Sequence, residues 1–276
     1  MTDASGAERT AMKRDWAEAN GLSLHYGVSG GESAGTPTLV LIHELAGTLE
    51  SWDHVVPYLV DDFRIFASDQ RGAGWSEKVR APFSVDDLAA DILVLLERAR
   101  LPPPYFVAGV ASGAAVAVAL AASRPQEVAA LALLAPSLSV NPDRRNYLLD
   151  RSDKAMRDGM ASIIDVVFEK TYPRDAVPDA ETYAEHRARF LAIDPVCYAL
   201  ANRMLTEVAL DEAIGALTCP CLLLAGEHDE MRPPAYVRQL STRFRNVEIA
   251  TVNSGHIMVV QAPGDVAEKL RRFFLK

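Results

Sequence analysis

Basic clusters, cysteine pairs and long apolar runs are all scarce in this chain. Its three cysteines, Cys197, Cys219 and Cys221, make no disulfide framework, so reduced thiols and a cytoplasmic location are the expectation. Cys219-Pro220-Cys221 leads straight into an apolar segment, and its thiols read as packing groups rather than metal ligands. The longest apolar stretch is broken by glycines and falls short of the roughly 20 residues that cross a bilayer as a helix. Acidic residues outnumber basic ones, 37 to 28, for a formal net charge of -9. With no lysine and arginine cluster of the kind that tracks phosphates, nucleic acid and anionic membrane are excluded as expected partners. The segment Met1 to Arg14 has no apolar core of a secretory signal and reads as a loose tail. Internal repeats and low-complexity segments are missing as well.

What remains is the composition of an enzyme-sized α/β domain, 49% hydrophobic and 24% charged over 276 residues. Trp16 to Val28 alternates in polarity around Asn20-Gly21 and predicts a hairpin. Thr38 to Ile42 is continuously apolar, the pattern of a strand buried on both faces of a parallel sheet. Ser51-Trp52-Asp53 predicts the start of a helix through Leu59. Phe63 to Ser68 reads as the next strand, and Ser84 caps a helix running to about Arg100. Tyr105 to Ala122 reads as strand, tight turn and alanine-rich helix, and Val128 to Ala135 as another buried strand. From Ser137 to Glu212 the periodicity is helical, with Arg144, Arg145, Arg151, Lys154 and Arg157 read mostly as a solvated face from which one arginine could meet a substrate carboxylate. The βα rhythm returns with strands at Cys221 to Ala225 and Val247 to Val252 and helices from Ala235 and from Gly264 to Phe274. Such alternation predicts a mostly parallel sheet. The expected division is a core from residues 1–136 and 213–276 and a helical cap from 137–212.

Five stretches occur in a telling order: His43-Glu44-Leu45-Ala46-Gly47, Asp69-Gln70-Arg71-Gly72, Gly109-Val110-Ala111-Ser112-Gly113, Gly226-Glu227-His228-Asp229 and Ser254-Gly255-His256. In this order the chain resembles the α/β-hydrolase superfamily over nearly its whole length. The region from Glu44 to Trp52 and the compact cap are further similar to the branch of 3-oxoadipate enol-lactonases and related ester and C–C bond hydrolases. The resemblance implies an α/β-hydrolase fold: an eight-stranded, mostly parallel sheet with helices on both faces and a helical cap. It also implies a nucleophile on the strained turn at Ala111, His256 as base, Asp229 as the acid that orients it, and an oxyanion hole from the N–H groups of Leu45 and Ser112. Glu44 stands where the family has glycine and is expected near the pocket, with Trp52 as a second substrate contact. His43 reads as a loop residue bonded to backbone, while His25, His54, His186 and His228 read as surface or supporting groups. Glu227 and Glu230 read as solvated.

The nucleophile position holds a methyl group, and a methyl group attacks no carbonyl. Three accounts stay open. Ala111 is an engineered Ser→Ala exchange in a lactone, ester or related acyl hydrolase working by the Ser-His-Asp mechanism. Alternatively, a natural serine-less enzyme uses His256 and Asp229 as a general base on water or on an acidic substrate proton, which admits lyase or cofactor-free oxygen chemistry. In the third, the pocket binds a small ligand without reaction. All three imply a small-molecule ligand and neither metal nor organic cofactor; oligomeric state is open, a homo-oligomer included.

Overall fold

The computed structural model describes residues 12–31, 33, 35–172 and 179–276. The expected loose tail lies outside the described residues up to position 11, and its last part belongs instead to the first strand, β1 (Lys13–Ala19). Asn20 and Gly21, both at positive φ, turn β1 into β2 (Leu22–Ser29). This pair of left-handed residues matches the right-handed twist of the strands they join. β3 (Thr38–Ile42), β4 (Arg64–Ser68), β5 (Tyr105–Val110), β6 (Val128–Leu134), β7 (Cys221–Gly226) and β8 (Val247–Val252) complete the sheet. Its order is β1-β2-β4-β3-β5-β6-β7-β8, antiparallel at β1/β2 and β2/β4 and parallel elsewhere. The predicted eight-stranded, mostly parallel sheet is therefore observed.

Alternate residues of β3 feed two separate cores, because successive side chains leave a strand on opposite faces. Val40 and Ile42 pack with Leu88, Ile92 and Leu95 of helix α1 (Val85–Arg98) and with helix α2 (Ser112–Ser123). Leu39 and Leu41 pack with Trp52, Phe63 and Phe274 on the other side. Ser84 caps α1 as expected, its hydroxyl accepting from Asp87 N–H at 3.1 Å while Asp87 accepts from Ser84 N–H at 2.7 Å. The helix expected over Ser51–Leu59 is instead two 3₁₀ turns, Leu49–Trp52 and Val56–Tyr58. Pro57 has no N–H to give to Asp53, so an α-helical ladder through this segment is broken at its centre.

Between β6 and β7 the described chain forms α3 (Pro142–Asp158), α4 (Ile164–Thr171), α5 (Ala180–Leu191), α6 (Pro195–Thr206) and α7 (Asp211–Ala216). Part of the link before α5, residues 173–178, lies outside the described residues. An isolated bridge, Ser139 to Ala209, joins the two ends of this helical stretch. Asn202 on α6 is fully buried and donates to Leu148 O and Ser152 Oγ on α3 at 2.8 and 2.9 Å, locking those two helices together. Beyond β7 come α8 (Pro234–Ser241), the short α9 (Met258–Gln261), which the sequence pattern did not reveal, and α10 (Pro263–Phe274). No helix among the described residues is long and apolar enough to cross a membrane.

Candidate active site

Ala111 connects β5 to α2 with φ 50° and ψ -110°, a conformation that costs an L-residue about 1–3 kcal/mol. Three backbone bonds hold it there: its N–H donates to Leu134 O at 2.8 Å, and its carbonyl accepts from Ala114 N–H at 3.2 Å and Ser137 N–H at 3.0 Å. Two glycines let the turn close. A Cβ on Gly109 would lie 2.3 Å from Gly113 O, and one on Gly113 would lie 2.4 Å from Ile42 O. The turn thus has the strained backbone of a nucleophile elbow, with a methyl group at its apex.

The ends of β7 and β8 deliver the dyad. His228 N–H donates to Ser254 O at 2.9 Å, and Gly226 passes so close to the following loop that a Cβ there would sit 2.3 Å from Gly255 O. This close passage brings Asp229 and His256 together. His256 Nδ1 lies 2.8 Å from Asp229 Oδ2, and both side chains are buried. A carboxylate at Nδ1 fixes the proton on that nitrogen and leaves Nε2 as an acceptor. Burial works to raise the Asp229 carboxyl, but the hydrogen bond and charge of His256 and the N–H groups of Arg232 and Met231 outweigh it and hold Asp229 below its ordinary value. Those two N–H groups reach Asp229 Oδ1 at 2.9 and 2.7 Å.

A cavity of about 460 Å³ opens between the sheet and the helices that follow β6. Ala111, Ser112, Leu45, Glu44 and His256 all line it. Ser112 opens α2, where an N–H has no intrahelical acceptor. The loop after β3 turns at Ala46 (φ 67°), not at Glu44. Replacement of the family glycine by Glu44 is thus free of backbone strain, and the loop holds through Gly47 N–H to Glu44 O at 3.0 Å. His43 supports it as expected: Nδ1 meets Glu44 O at 2.8 Å and Nε2 accepts from Gln70 N–H at 3.0 Å.

Trp52 does not reach the cavity. It is 0% exposed within the core beneath the loop, so its expected role as a substrate contact is corrected. A tryptophan in a 3₁₀ turn against the sheet buries its ring where a polar ligand has no access. Of the histidines read as surface or supporting groups, His25 takes the supporting place and His186 departs from both. His25 is buried with Nδ1 2.7 Å from Asp69 Oδ2, and His186 lines the cavity. His228 is exposed and bonds Asn253 at 2.8 Å.

Arginines are the site's least legible component. Arg144 and Arg151 from α3 line the cavity together with Arg232, which lies three residues beyond Asp229. None of the three has a carboxylate within ion-pair distance among the described residues. Arg151 donates to Asn202 Oδ1 at 2.8 Å and lies over the rings of Tyr147 and Tyr198 at 5.6 and 5.9 Å, while Arg232 lies over Tyr236 at 5.3 Å. Burial, reinforced by the charge of Arg144, pulls Arg232 below the usual arginine value against the opposing pull of Tyr236 and Asp229. Nothing in the spacing of the arginines told the solvated ones on α3 from those turned inward. Among the described residues no group of three or more His, Cys, Asp or Glu side chains is placed to hold a metal ion.

Comparison with known proteins identifies the same fold. Residues 37–162 match the family model described as the alpha/beta hydrolase fold. The chain is 29% identical to the "Putative carbamate hydrolase RutD" of Stutzerimonas stutzeri, over 84% of this chain and 89% of that protein. It is 24% identical to the pyrrolizixenacetamide deacetylase of Xenorhabdus hominickii, over 87% of this chain and 91% of that one. Among solved structures, the enol-lactonase from Burkholderia xenovorans LB400 superposes with a TM-score of 0.88 at 25% identity, covering 95% of this chain and all (100%) of that chain.

Proposed function

We propose that this chain, which has the α/β-hydrolase fold and belongs to the α/β-hydrolase superfamily, hydrolyses a lactone, ester or related acyl bond of a small molecule with His256 and Asp229 as general base. The observation that carries the reading is the buried 2.8 Å contact of His256 Nδ1 with Asp229 Oδ2 beside the elbow at Ala111. A pair so placed takes a proton from whatever occupies the space above the Ala111 methyl group, where a serine hydroxyl would otherwise stand. Water has the size and the proton for that role.

The reaction then balances without a covalent intermediate. Water oxygen bonds to the carbonyl carbon as His256 Nε2 takes one of its protons, and the carbonyl π electrons move onto oxygen. The N–H groups of Leu45 and Ser112 meet that oxyanion; a donor of this kind is typically worth about 100- to 1000-fold in rate. Asp229, held ionised, stabilises the imidazolium. When the oxyanion collapses, the bond to the leaving oxygen or nitrogen breaks and His256 returns the proton to it. Arg144, Arg151 and Arg232, without carboxylate partners of their own, suit a substrate that carries a negative charge. The relatives' names point to the same bond class: a carbamate hydrolase, a deacetylase and an enol-lactonase each act at a carbonyl carbon.

Turnover of a panel of small esters and lactones tests this. His256→Ala is expected to lower it by about 100-fold or more, and unchanged activity overturns the reading. The strained elbow also favours a serine-borne version of the same chemistry. Ala111→Ser is expected to take a stoichiometric label from an acyl-transfer inhibitor and to release product in a burst. If neither the unmodified protein nor Ala111→Ser turns over any acyl compound, the hydrolase reading is wrong.

A further inference from the structure

The cavity holds a second imidazole that the reaction above does not use. His186 comes from α5 and lines the same space as Ala111 and His256. Its ring stacks on Tyr172 at 4.3 Å and 17°, with Phe168 at 5.5 Å, and both of those aromatic rings are buried. The ring plane is therefore fixed, yet neither ring nitrogen hydrogen-bonds a described residue. Burial lowers its basicity, the nearby Glu44 carboxyl opposes this, and Arg189 adds to the lowering. At neutral pH the ring is uncharged, with one N–H to give and one lone pair to offer.

We propose that His186 is a substrate-contacting residue that sets specificity: its imidazole hydrogen-bonds a neutral polar group of the ligand, an amide, keto or hydroxyl function, within the cavity. Three observations support the assignment. The ring is part of the cavity wall, its plane is held by stacking, and its polar atoms have no other described partner. A ligand that fills the cavity and displaces solvent from His186 must replace those hydrogen bonds or leave a polar group stranded. Sites built in this way discriminate strongly against analogues that lack the matching group. Proton transfer at the scissile bond is already served by His256, so His186 acts in recognition. The assignment rests on the reading that this cavity is the substrate site, but its test needs no turnover.

The test compares two series of carboxylic acids that reach the arginines through the same head group. Succinamate, glutaramate and adipamate end in a primary amide, which donates and accepts and so suits either tautomer of His186. Their shape counterparts, 4-methylpentanoate, 5-methylhexanoate and 6-methylheptanoate, end in an isopropyl group. Calorimetric titration is run on the unmodified protein, on His186→Phe, which keeps the stack on Tyr172, and on His186→Gln, which keeps donor and acceptor. At one chain length or more, the amide is expected to bind the unmodified protein at least about tenfold more tightly than its counterpart. That preference is expected to vanish in His186→Phe and to survive in part in His186→Gln. No preference at any length, a preference that persists in His186→Phe, or no binding by either series overturns the proposal. Loss of ester turnover alone counts against the hydrolase reading and leaves this result standing.

Discussion

Glu44 shows how a single side chain is fitted into a wall of the cavity. Its Oε1 accepts from Ser51 Oγ at 2.9 Å, whereas Oε2 is buried without a described partner. The carboxyl group lies against Gly47, where a Cβ would come within 2.6 Å of it, so a side chain at position 47 would push it away. Removing the Ser51 hydroxyl leaves both carboxyl oxygens without a protein donor, at a cost of about 1–3 kcal/mol. Ser51→Ala is thus expected to lower the free energy of unfolding by that amount. In a Glu44→Leu background, where no carboxyl needs a partner, the same change is expected to cost much less. A double-mutant cycle by urea denaturation checks this, and equal losses in both backgrounds would show that the hydroxyl does not serve Glu44.

At the scale of elements, the Asp69-Gln70-Arg71-Gly72 turn is fastened to α1 by a fork of two short bonds. Arg71 Nε and Nη2 donate to Asp91 Oδ2 and Oδ1, both at 2.7 Å, and Asn20 Nδ2 adds a third bond to Asp91 at 2.8 Å. Asp91 is 3% exposed and the Arg71 guanidinium is partly buried, so removing the carboxylate is expected to cost toward the lower end of the about 3–5 kcal/mol typical of breaking a buried pair. Asp91→Ala is expected to destabilise the protein by roughly 3 kcal/mol, read from its denaturation midpoint, with Arg71→Ala adding little once Asp91 is gone. Arg71 stands in one of the stretches marked in the sequence, but its pairing with Asp91 could not be read there, because a turn after β4 and the middle of α1 meet only through the fold. The same distinction runs through the site. Ala111, Asp229 and His256 were legible because strand ends and glycines mark their positions. Trp52 was misplaced because its neighbours in sequence do not say which way a 3₁₀ turn faces. His186 was read as a surface or supporting group, and Arg144 and Arg151 could not be told from the other arginines of α3, because the direction of a side chain on a helix depends on how that helix is packed; Arg232, in the loop after β7, was not singled out.

On the scale of the whole molecule, two buried carboxylates, Asp69 and Asp229, are held as anions, and this shapes the response to acid. At Asp69, burial acts to raise the carboxyl, but hydrogen bonds from His25 and from the N–H groups of Leu49 and Trp75, with the charge of His43, hold it below its ordinary value. Asp229 is held down in the same sense by His256, Arg232 and Met231. The two sit at opposite parts of the sheet: Asp69 ties β2 and the β3 and β4 loops together, and Asp229 joins the loops after β7 and β8. For each, the folded value lies below the unfolded one, so the unfolded chain takes up protons first as the pH falls. Their contribution to stability is complete above the unfolded value of about 4 and is lost as the pH drops through the lower, folded values. The free energy of unfolding from these groups is expected to be level between pH 7 and 5 and to fall by on the order of 2 kcal/mol toward pH 3. Denaturant titrations at pH 7, 5, 4 and 3 measure it. Asp69→Asn is expected to be less stable at pH 7 and to show a shallower acid limb, since one of the two anions is already missing; an acid limb as steep as that of the unmodified protein would assign the acid sensitivity to other carboxylates.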